Sequence, residues 1–316
     1  EVITTPRSYY ASSISIINAN LKPVFADIDI YSQNISPISI EKLITKNTKC
    51  LLIVHLGGNP CEMDAIIKIS KKYNLKLIED CSQSHGSVYK NKKIGTFGDV
   101  STWSFCNDKI ISTLGEGGMI STNSNQLYKK LWSLKEIGKD FDKTYAIAKN
   151  QKIGFQWIHD HKGSNHRMTE VQSAVGRIQL KNLNKTLKKR INNAEIIINS
   201  IKDFKNIYYF KNSKNTKSSY YRFNLVIDNK KKKSKLRDKL LIEFSKIGIL
   251  CRVGSCPEIY KENIFKDIDY KPKCKLLNAE LVGSNSLSFQ VDQTISKTQM
   301  QLIANKIRKI FINYNI

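Results

Sequence analysis

A lysine, two carboxylates, an amide and a hydroxyl mark the stretch of this chain where chemistry could be done. Val100 to Phe105 reads as a β-rich run that delivers a hydroxyl at Ser104, and Lys109 follows five positions later. A glycine-rich turn, Gly115-Glu116-Gly117-Gly118, then leads into another apolar strand, Met119 to Thr122. Upstream, a strand over Leu75 to Ile78 ends in Glu79-Asp80-Cys81-Ser82-Gln83-Ser84-His85-Gly86. In an open α/β sheet, ligands collect at the carboxyl ends of the strands. A strand-end acid, a strand-end amide and a lysine just past another strand are the parts that a pyridoxal 5'-phosphate (PLP) site needs: an amine for the Schiff base and an acid for the ring nitrogen. Each part alone is ordinary. A chain with 44 lysines places one after a strand by chance, and Glu79-Asp80 alone reads as a solvated strand end. The combination carries the inference.

The elements that must position these residues follow a regular cadence. Glu1 to Thr5 reads as a strand ending at Pro6; after Arg7-Ser8-Tyr9-Tyr10-Ala11-Ser12 a helical run reaches Ala19. Val24 to Ile28 and the apolar run Cys50 to Leu56 are further strands. Ser39 to Ile44 and Glu62 to Tyr73 are helical, the second with Ile66, Ile69 and Tyr73 on one face. Strand and helix in alternation imply right-handed crossovers and a mostly parallel sheet. Val88 to Ile94 reads as a hairpin on the rim of that sheet, Gln126 to Ile137 as a helix, and Asp140 to His161 as a polar loop dotted with aromatics. A helical pattern from Met168 to Ile201, bent near Asn182, leads to strands at Tyr220 to Ile227 and Leu287 to Gln290. Helices are expected at Lys235 to Ile247 and along the stripe from Met300 to Tyr314, and a loop at Lys230 to Lys233. At 316 residues the chain exceeds the usual single domain. Residues 1–180 are expected to form a large α/β domain, and 181–316 a connector helix with a smaller α+β domain.

The net charge of +25 raises nucleic-acid binding as a possibility. The excess is nearly all lysine, 44 against 8 arginines, and is spread along the chain. The arginine forks and interleaved aromatics that serve base and phosphate recognition are absent, which sets that role aside. The same field suits the attraction of anionic substrates such as nucleotide-sugars. No stretch approaches the ~18 uninterrupted apolar residues of a membrane span, and Glu1-Val2-Ile3 does not read as a signal peptide. Seven cysteines without a pairing pattern suit a reducing cytoplasm. Cys251 and Cys256 lack the spacing and companions of a zinc site, and no metal is expected.

With its surroundings, the lysine segment resembles the DegT/DnrJ/StrS family, PLP-dependent sugar aminotransferases of the aspartate-aminotransferase fold (fold type I). The resemblance rests on Lys22-Pro23-Val24-Phe25-Ala26-Asp27-Ile28-Asp29, Val54-His55-Leu56-Gly57-Gly58, Met63-Asp64, Glu79 to Gly86, Ser104-Phe105 through Lys109, Gly115 to Gly118, and Ser164-Asn165-His166-Arg167-Met168-Thr169-Glu170. These fall in family order over the first 180 residues or so; the remainder matches more loosely. The implied fold is a mostly parallel sheet of the seven-stranded type flanked by helices, plus the smaller domain.

The resemblance also implies roles. Lys109 would bond the cofactor and carry the proton between the substrate carbon and the cofactor. That task needs a partly neutral amine, which a desolvated cationic setting would supply. Asp80, as a buried carboxylate, would hold the ring nitrogen protonated. Gln83 would lie over the ring near its phenolic oxygen, and Ser104 would donate to the phosphate. Tyr9 would stack on the ring, with Tyr10 as fallback and core packing as the plain alternative. Asn165 matches an asparagine that reaches the phosphate of a neighbouring subunit's cofactor, implying a homodimer with shared sites. Arg167 either assists there or forms a surface ion pair. His85 would stand behind the site and His55 would be a satisfied core histidine. Gly115 to Gly118 reads as a turn permitting close backbone packing rather than as a phosphate cradle.

Relatives that are sugar dehydratases carry histidine where this chain has Lys109, so the lysine favours amino transfer. The family's phosphate cup, a Gly-Thr/Ser turn at a helix N-terminus, precedes the strand at Glu1-Val2-Ile3, so the chain is expected to start inside the large domain. The expectation is a cytoplasmic, homodimeric aminotransferase moving an amino group from glutamate to a keto-sugar, most simply a nucleotide-linked one, for bacterial polysaccharide or glycan synthesis. The rivals are a dehydratase of the same family, a desulfurase working through Cys251 or Cys256, and a non-catalytic PLP- or sugar-binding protein.

Overall fold

The structure, a computed structural model, describes residues 1–150, 153–228, 235–265 and 270–316. The loop expected at Lys230 to Lys233 lies outside them. Apolar runs form β1 (Val2–Thr4), β2 (Pro23–Phe25), β3 (Cys50–Val54) and β4 (Lys76–Asp80), separated by α1 (Ala11–Asn18), α2 (Pro37–Leu43) and α3 (Met63–Lys72). A hairpin of β5 (Val88–Tyr89) and β6 (Lys92–Lys93) turns through Lys90 and Asn91, both at positive φ. β7 (Val100–Ser104) and β8 (Gly118–Ser121) complete the sheet.

The strand order is β2-β1-β3-β4-β7-β8, parallel throughout except for β8 on the edge. Among the described residues the sheet has six strands, against the seven-stranded type that the resemblance implies. The hairpin does not extend it, because β5 pairs with β6 and with Lys217 instead. Ile3, Leu51, Ile53 and Leu77 from the strands pack with Ile66 and Ile69 of α3 in one buried cluster. Tyr73, expected on the same face as those isoleucines, caps α3 and donates its hydroxyl to Glu41 at 3.1 Å.

Side chains alternate across a strand, so the two acids that end β4 leave on opposite sides. Glu79 is fully buried. Its carboxylate accepts from the amides of Gly95 (2.9 Å), Phe97 (2.8 Å) and Gly98 (2.7 Å), and faces His55 Nε2 at 3.2 Å. His55 Nδ1 accepts from the Cys61 amide at 3.0 Å, so the ring proton sits on Nε2. His55 is thus the satisfied core histidine expected. Glu79, His55 and Cys81 stand close together, but both ring nitrogens are already engaged, leaving no lone pair for a metal.

α4 (Asn125–Lys135) is followed by α5 (Phe141–Asn150), where a loop was expected. Phe141 and Tyr145, one turn apart, gather with Tyr128 and Trp132 of α4 into an aromatic cluster, and Asp140 accepts from the Lys143 amide at 2.7 Å. Those local contacts outweigh the polar composition. The long helical pattern divides at Asn182 into α6 (Glu170–Lys181) and α7 (Leu183–Ile201). The second sheet, in order β11-β12-β10-β9, is antiparallel and is built from β9 (Ile207–Tyr209), β10 (Phe223–Ile227), β11 (Cys251–Arg252) and β12 (Ser286–Phe289). α8 (Leu236–Lys246) and α10 (Lys297–Asn313) pack with α7 on its core, and α9 (Leu277–Asn285) meets Phe25 and Ile28 of the first unit in a shared cluster. β10 starts at Phe223 rather than Tyr220, because Tyr220 has φ 47° and turns the chain before the ladder begins. No described helix is long and apolar enough to cross a membrane.

Burial alone would raise the Glu79 carboxyl, but His55 and the amides of Gly98 and Gly95 outweigh it and hold the group below its ordinary 4.5. Glu79→Ala should therefore lower unfolding free energy by roughly 3–5 kcal/mol at neutral pH, measured by denaturant titration. A depressed carboxyl stabilises fully above its unfolded value and loses that contribution as pH falls through the folded one. The gap between wild type and Glu79→Ala should narrow in acid, below the ordinary 4.5.

Candidate active site

β1, β3, β4 and β7 run parallel as sheet neighbours, so the segments leaving their carboxyl ends gather on one edge. Those segments carry Tyr9, Gly57, Asp80 with Gln83, and Ser104 with Lys109. Asp80 lies opposite Thr102 in the β4–β7 ladder, two residues before Ser104.

Asp80 is partly buried, less enclosed than expected. Its Oδ2 accepts from Ser12 Oγ at 2.8 Å, its Oδ1 from the Ser82 amide at 3.0 Å, and Ser12 Oγ stands 3.0 Å from Ser8 Oγ. The carboxylate is therefore tied to the first turn of α1, where Tyr9 precedes the helix. Gln83 is buried; its Oε1 accepts from the Gly57 amide at 2.7 Å, while its Nε2 makes no hydrogen bond among the described residues. Gly57 and Gly58 have φ 65° and 92°. A Cβ on Gly58 would meet Ser219 Oγ at 2.6 Å and the Tyr220 and Tyr221 amides at 2.9 and 3.0 Å, so glycine is what admits the 219–221 segment beside the site. Ser104 Oγ accepts from the Cys106 amide at 3.4 Å.

Lys109 Nζ lies 3.1 Å from Asp108 Oδ1 and 5.1 Å from the centre of the Tyr221 ring. Tyr221 donates its hydroxyl to Asp108 Oδ2. Burial acts to lower the Lys109 amine, but Tyr221 and Asp108 outweigh it and raise it above its ordinary range. This differs from the expectation of a lowered amine: the groups that raise it are the Tyr221 phenol and the Asp108 carboxylate. His85, buried against Trp103 and Phe105, leaves both ring nitrogens without a hydrogen bond. Burial first, then the Lys109 charge, push its ring down to about 4. It stays neutral at physiological pH.

The remaining expectations divide. Tyr9 is 65% exposed, edge-on to Tyr10 at 5.1 Å. Asn165 sits on the surface, bridged to Glu136 and accepting from the Arg167 amide at 3.4 Å; it shares no hydrogen bond or ion pair with Lys109, Asp80, Gln83 or Ser104. Arg167 pairs with Glu136 at 2.9 Å, the surface ion pair weighed above. The close backbone packing expected of the Gly115 to Gly118 turn is found at Gly118, where a Cβ would lie 3.0 Å from the Trp103 carbonyl; one on Gly117 would lie 2.2 Å from the Thr113 side chain, and one on Gly115 would meet nothing within 4 Å.

The sequence profile of the DegT/DnrJ/EryC1/StrS aminotransferase family matches residues 1–308. The chain belongs to this family. The match extends well beyond the first 180 residues on which the resemblance rested. GDP-perosamine synthase of Escherichia coli O157:H7 is 35% identical over 76% of this chain and 62% of its own length. The solved aminotransferase from Psychrobacter cryohalolentis superposes with a TM-score of 0.93 at 35% identity, covering 100% of this chain and 82% of that one. An E. coli GDP-4-keto-6-deoxy-D-mannose-3-dehydratase, solved with bound hydrated PLP, follows at TM-score 0.83 and 28% identity over 98% of this chain and 79% of its own. The fold is that of the PLP-dependent aminotransferases, and this family member is a PLP-dependent sugar aminotransferase by kinship.

The residues present fit PLP. The strand ends supply a carboxylate, an amide with unused donors, a hydroxyl and a primary amine, and the buried His85 imidazole beside them has no partner of its own. The sequence reading missed Asp108, Tyr221 and Ser12. Asp108 adjoins the lysine and was open to view, but Tyr221 lies 113 positions from it and nothing local marks it.

Removing the carboxylate should release the amine. In cofactor-free protein, Asp108→Asn should raise the rate at which Lys109 reacts with an amine-directed reagent at mildly alkaline pH, read by peptide mapping. Unchanged labelling would show that Asp108 does not hold the proton.

Proposed function

We propose that this chain moves an amino group from glutamate to a keto-sugar, most simply a nucleotide-linked one, in two half-reactions. The observation that carries the reading is a carboxylate at the end of β4 and a lysine amine on the segment that leaves its parallel neighbour β7, with a glutamine amide on the segment that leaves β4. PLP, when bound, supplies a carbonyl that condenses with amines and a ring that withdraws electrons from the adjoining carbon.

Lys109 would bond the cofactor and, once displaced by the amino donor, move a proton with its free amine. It must first shed the proton that Asp108 and Tyr221 help it keep, so those two set the pH at which it works. Asp80 would hold the proton on the ring nitrogen. Ser12 and the Ser82 amide fix its carboxylate for that task, and each oxygen keeps a further lone pair. Gln83 would present Nε2 to the phenolic oxygen, Ser104 would bind the phosphate, and Tyr9 would close over the ring. The amine at position 109 favours transfer over the dehydratase chemistry of the E. coli relative. Residues 1–180 would be the cofactor domain and 181–316 the connector and smaller domain. The product would be an amino sugar for a bacterial surface glycan, made in the cytoplasm, a setting in keeping with seven unpaired cysteines.

A homodimer belongs to the same reading. β8 exposes Met119 and Ile120 on the sheet edge, α6 buries no residue yet carries Val171, Ile178 and Leu180, and Phe155 and Trp157 stand 75% and 81% exposed. Exposed apolar side chains of this kind are what a second copy would cover, and the family resemblance implies that Asn165 would then reach the partner's cofactor.

Wild-type protein should acquire the visible band that PLP gains on bonding a lysine, and glutamate should bleach it; Lys109→Ala should never show it. Asp80→Asn should lower kcat roughly 10²- to 10³-fold while PLP stays bound. Light scattering should report a dimer for the wild type and a monomer for Ile178→Asp. A wild type that neither binds PLP nor responds to glutamate would end the aminotransferase reading.

A further inference from the structure

Two hydroxyls stand in line behind the Asp80 carboxylate. Ser12 Oγ donates to Asp80 Oδ2 at 2.8 Å, and Ser8 Oγ lies 3.0 Å from Ser12 Oγ. The direction of the second hydrogen bond follows from the first. A hydroxyl has one proton and a carboxylate only accepts, so the Ser12 proton is committed to Asp80 and Ser8 must be the donor to Ser12. Both serines are buried, and hydrogen bonds that point the same way polarise one another. A serine in a helix readily turns its hydroxyl back to a carbonyl three or four residues earlier. Ser15, one turn on, does so, donating to the Ser12 carbonyl at 3.0 Å. Ser12 does not, because Ser8 occupies its oxygen from behind and leaves its proton aimed at Asp80.

Ser8 in turn is placed by the second unit. Cys256, in the loop after β11, pairs with it in an antiparallel bridge, and the Ile259 amide donates to the Pro6 carbonyl at 2.9 Å. Between these two contacts Arg7 sends its guanidinium the same way. Nη1 donates to the Ser255 carbonyl at 3.1 Å, Nη2 to Ser286 Oγ at 3.2 Å, and Nε to Gln33 Oε1 at 3.1 Å. Gly254 admits it, since a Cβ there would lie 2.9 Å from Nη2. All three acceptors are neutral, and a fully buried cation held only by neutral groups costs stability. What the guanidinium provides is placement: its rigid fork reaches three separate segments at once. Residues 6–8 are thereby pinned to the 255–259 loop, with the Ser8 hydroxyl facing α1.

Resting on the assignment of Asp80 to the ring nitrogen, we propose that Ser8 is a positioning residue for amino transfer. It would touch neither cofactor nor substrate. Through Ser12 it fixes the orientation in which the Asp80 carboxylate meets the ring nitrogen. The Ser82 amide holds Oδ1 from within the same turn, so the outer oxygen is the one that needs a partner from elsewhere, and the hydroxyl chain from Ser8 supplies it.

PLP labelled with nitrogen-15 in its ring reports that proton directly, because the resonance of a pyridine nitrogen moves far upfield on protonation. Bound to the wild type at neutral pH it should stand at the protonated position. Ser8→Ala should displace it towards the unprotonated position and Ser12→Ala should displace it further. The double variant should go no further than Ser12→Ala alone, since Ser8 acts only through Ser12. Ser8→Thr, which keeps the hydroxyl, should stay with the wild type. So should Ser13→Ala, which removes a buried hydroxyl of the same helical turn that has no partner among the described residues. In Ser8→Ala, kcat should fall roughly 3- to 10-fold with the KM for the keto-sugar unchanged, and equal melting temperatures should show that the variants fold. A Ser8→Ala resonance at the wild-type position would overturn the proposal, as would additive displacements in the double variant or an equal displacement by Ser13→Ala. If Asp80→Asn displaces the resonance while Ser8→Ala does not, the role of Ser8 falls alone. If Asp80→Asn leaves it in place, the assignment of Asp80 falls too.

Discussion

A carboxylate that is taken out of water must be given donors, and Glu79 meets that requirement in the middle of the sheet. Three backbone amides from residues 95–98 and the His55 ring close around it. One side chain thereby ties the end of β4 to the end of β3 and to the approach to β7. Asp80, on the other face of β4, takes no part in this anchoring and accepts instead from Ser12 and the Ser82 amide. The alternation of side chains across a strand turns two adjacent acids into one buried anchor and one partly exposed carboxylate.

The lysine is held differently, by residues that come from both sheets. Ile110, Leu187 and Tyr221 form a small buried cluster beneath it, drawing on the loop after β7, on α7 and on the turn before β10. Tyr221 reaches from that cluster to Asp108, and Asp108 to Lys109. The smaller sheet therefore acts on the amine through one phenol and one carboxylate. Arg7 adds a second tie: it is fully buried, bonded to Gln33, Ser286 and the Ser255 carbonyl, and pushed down to about 10 by burial. It joins the segment before Tyr9 to the loop before α9.

Glycine enters where backbone has to pass backbone. Gly58 lets the 219–221 segment lie against the end of β3, and Gly138, at φ 79°, meets the His161 carbonyl where a Cβ would stand 1.8 Å away. The first contact brings Tyr221 to the lysine. The second pairs the residues around Glu136 and Lys139 with Asn165 and His159, and so holds Asn165 on the outer face.

Much was legible in the residues alone. Strand-helix alternation, the strand-end acid and amide, and the lysine beyond the next strand depend on local pattern, and the parallel sheet follows from them because crossovers are right-handed. The helix at Phe141 was not legible, since its aromatic face is only two rings, Phe141 and Tyr145, that meet Tyr128 and Trp132 of α4 in space. The charge state of Lys109 was misjudged for a related reason. A pKa depends on what stands within a few ångströms, and here that is a tyrosine 113 positions from Asp108. Sequence determined which groups are present and which strand ends carry them. Tertiary structure alone decided which of them share charge, because contact between distant segments is set by packing and not by spacing along the chain.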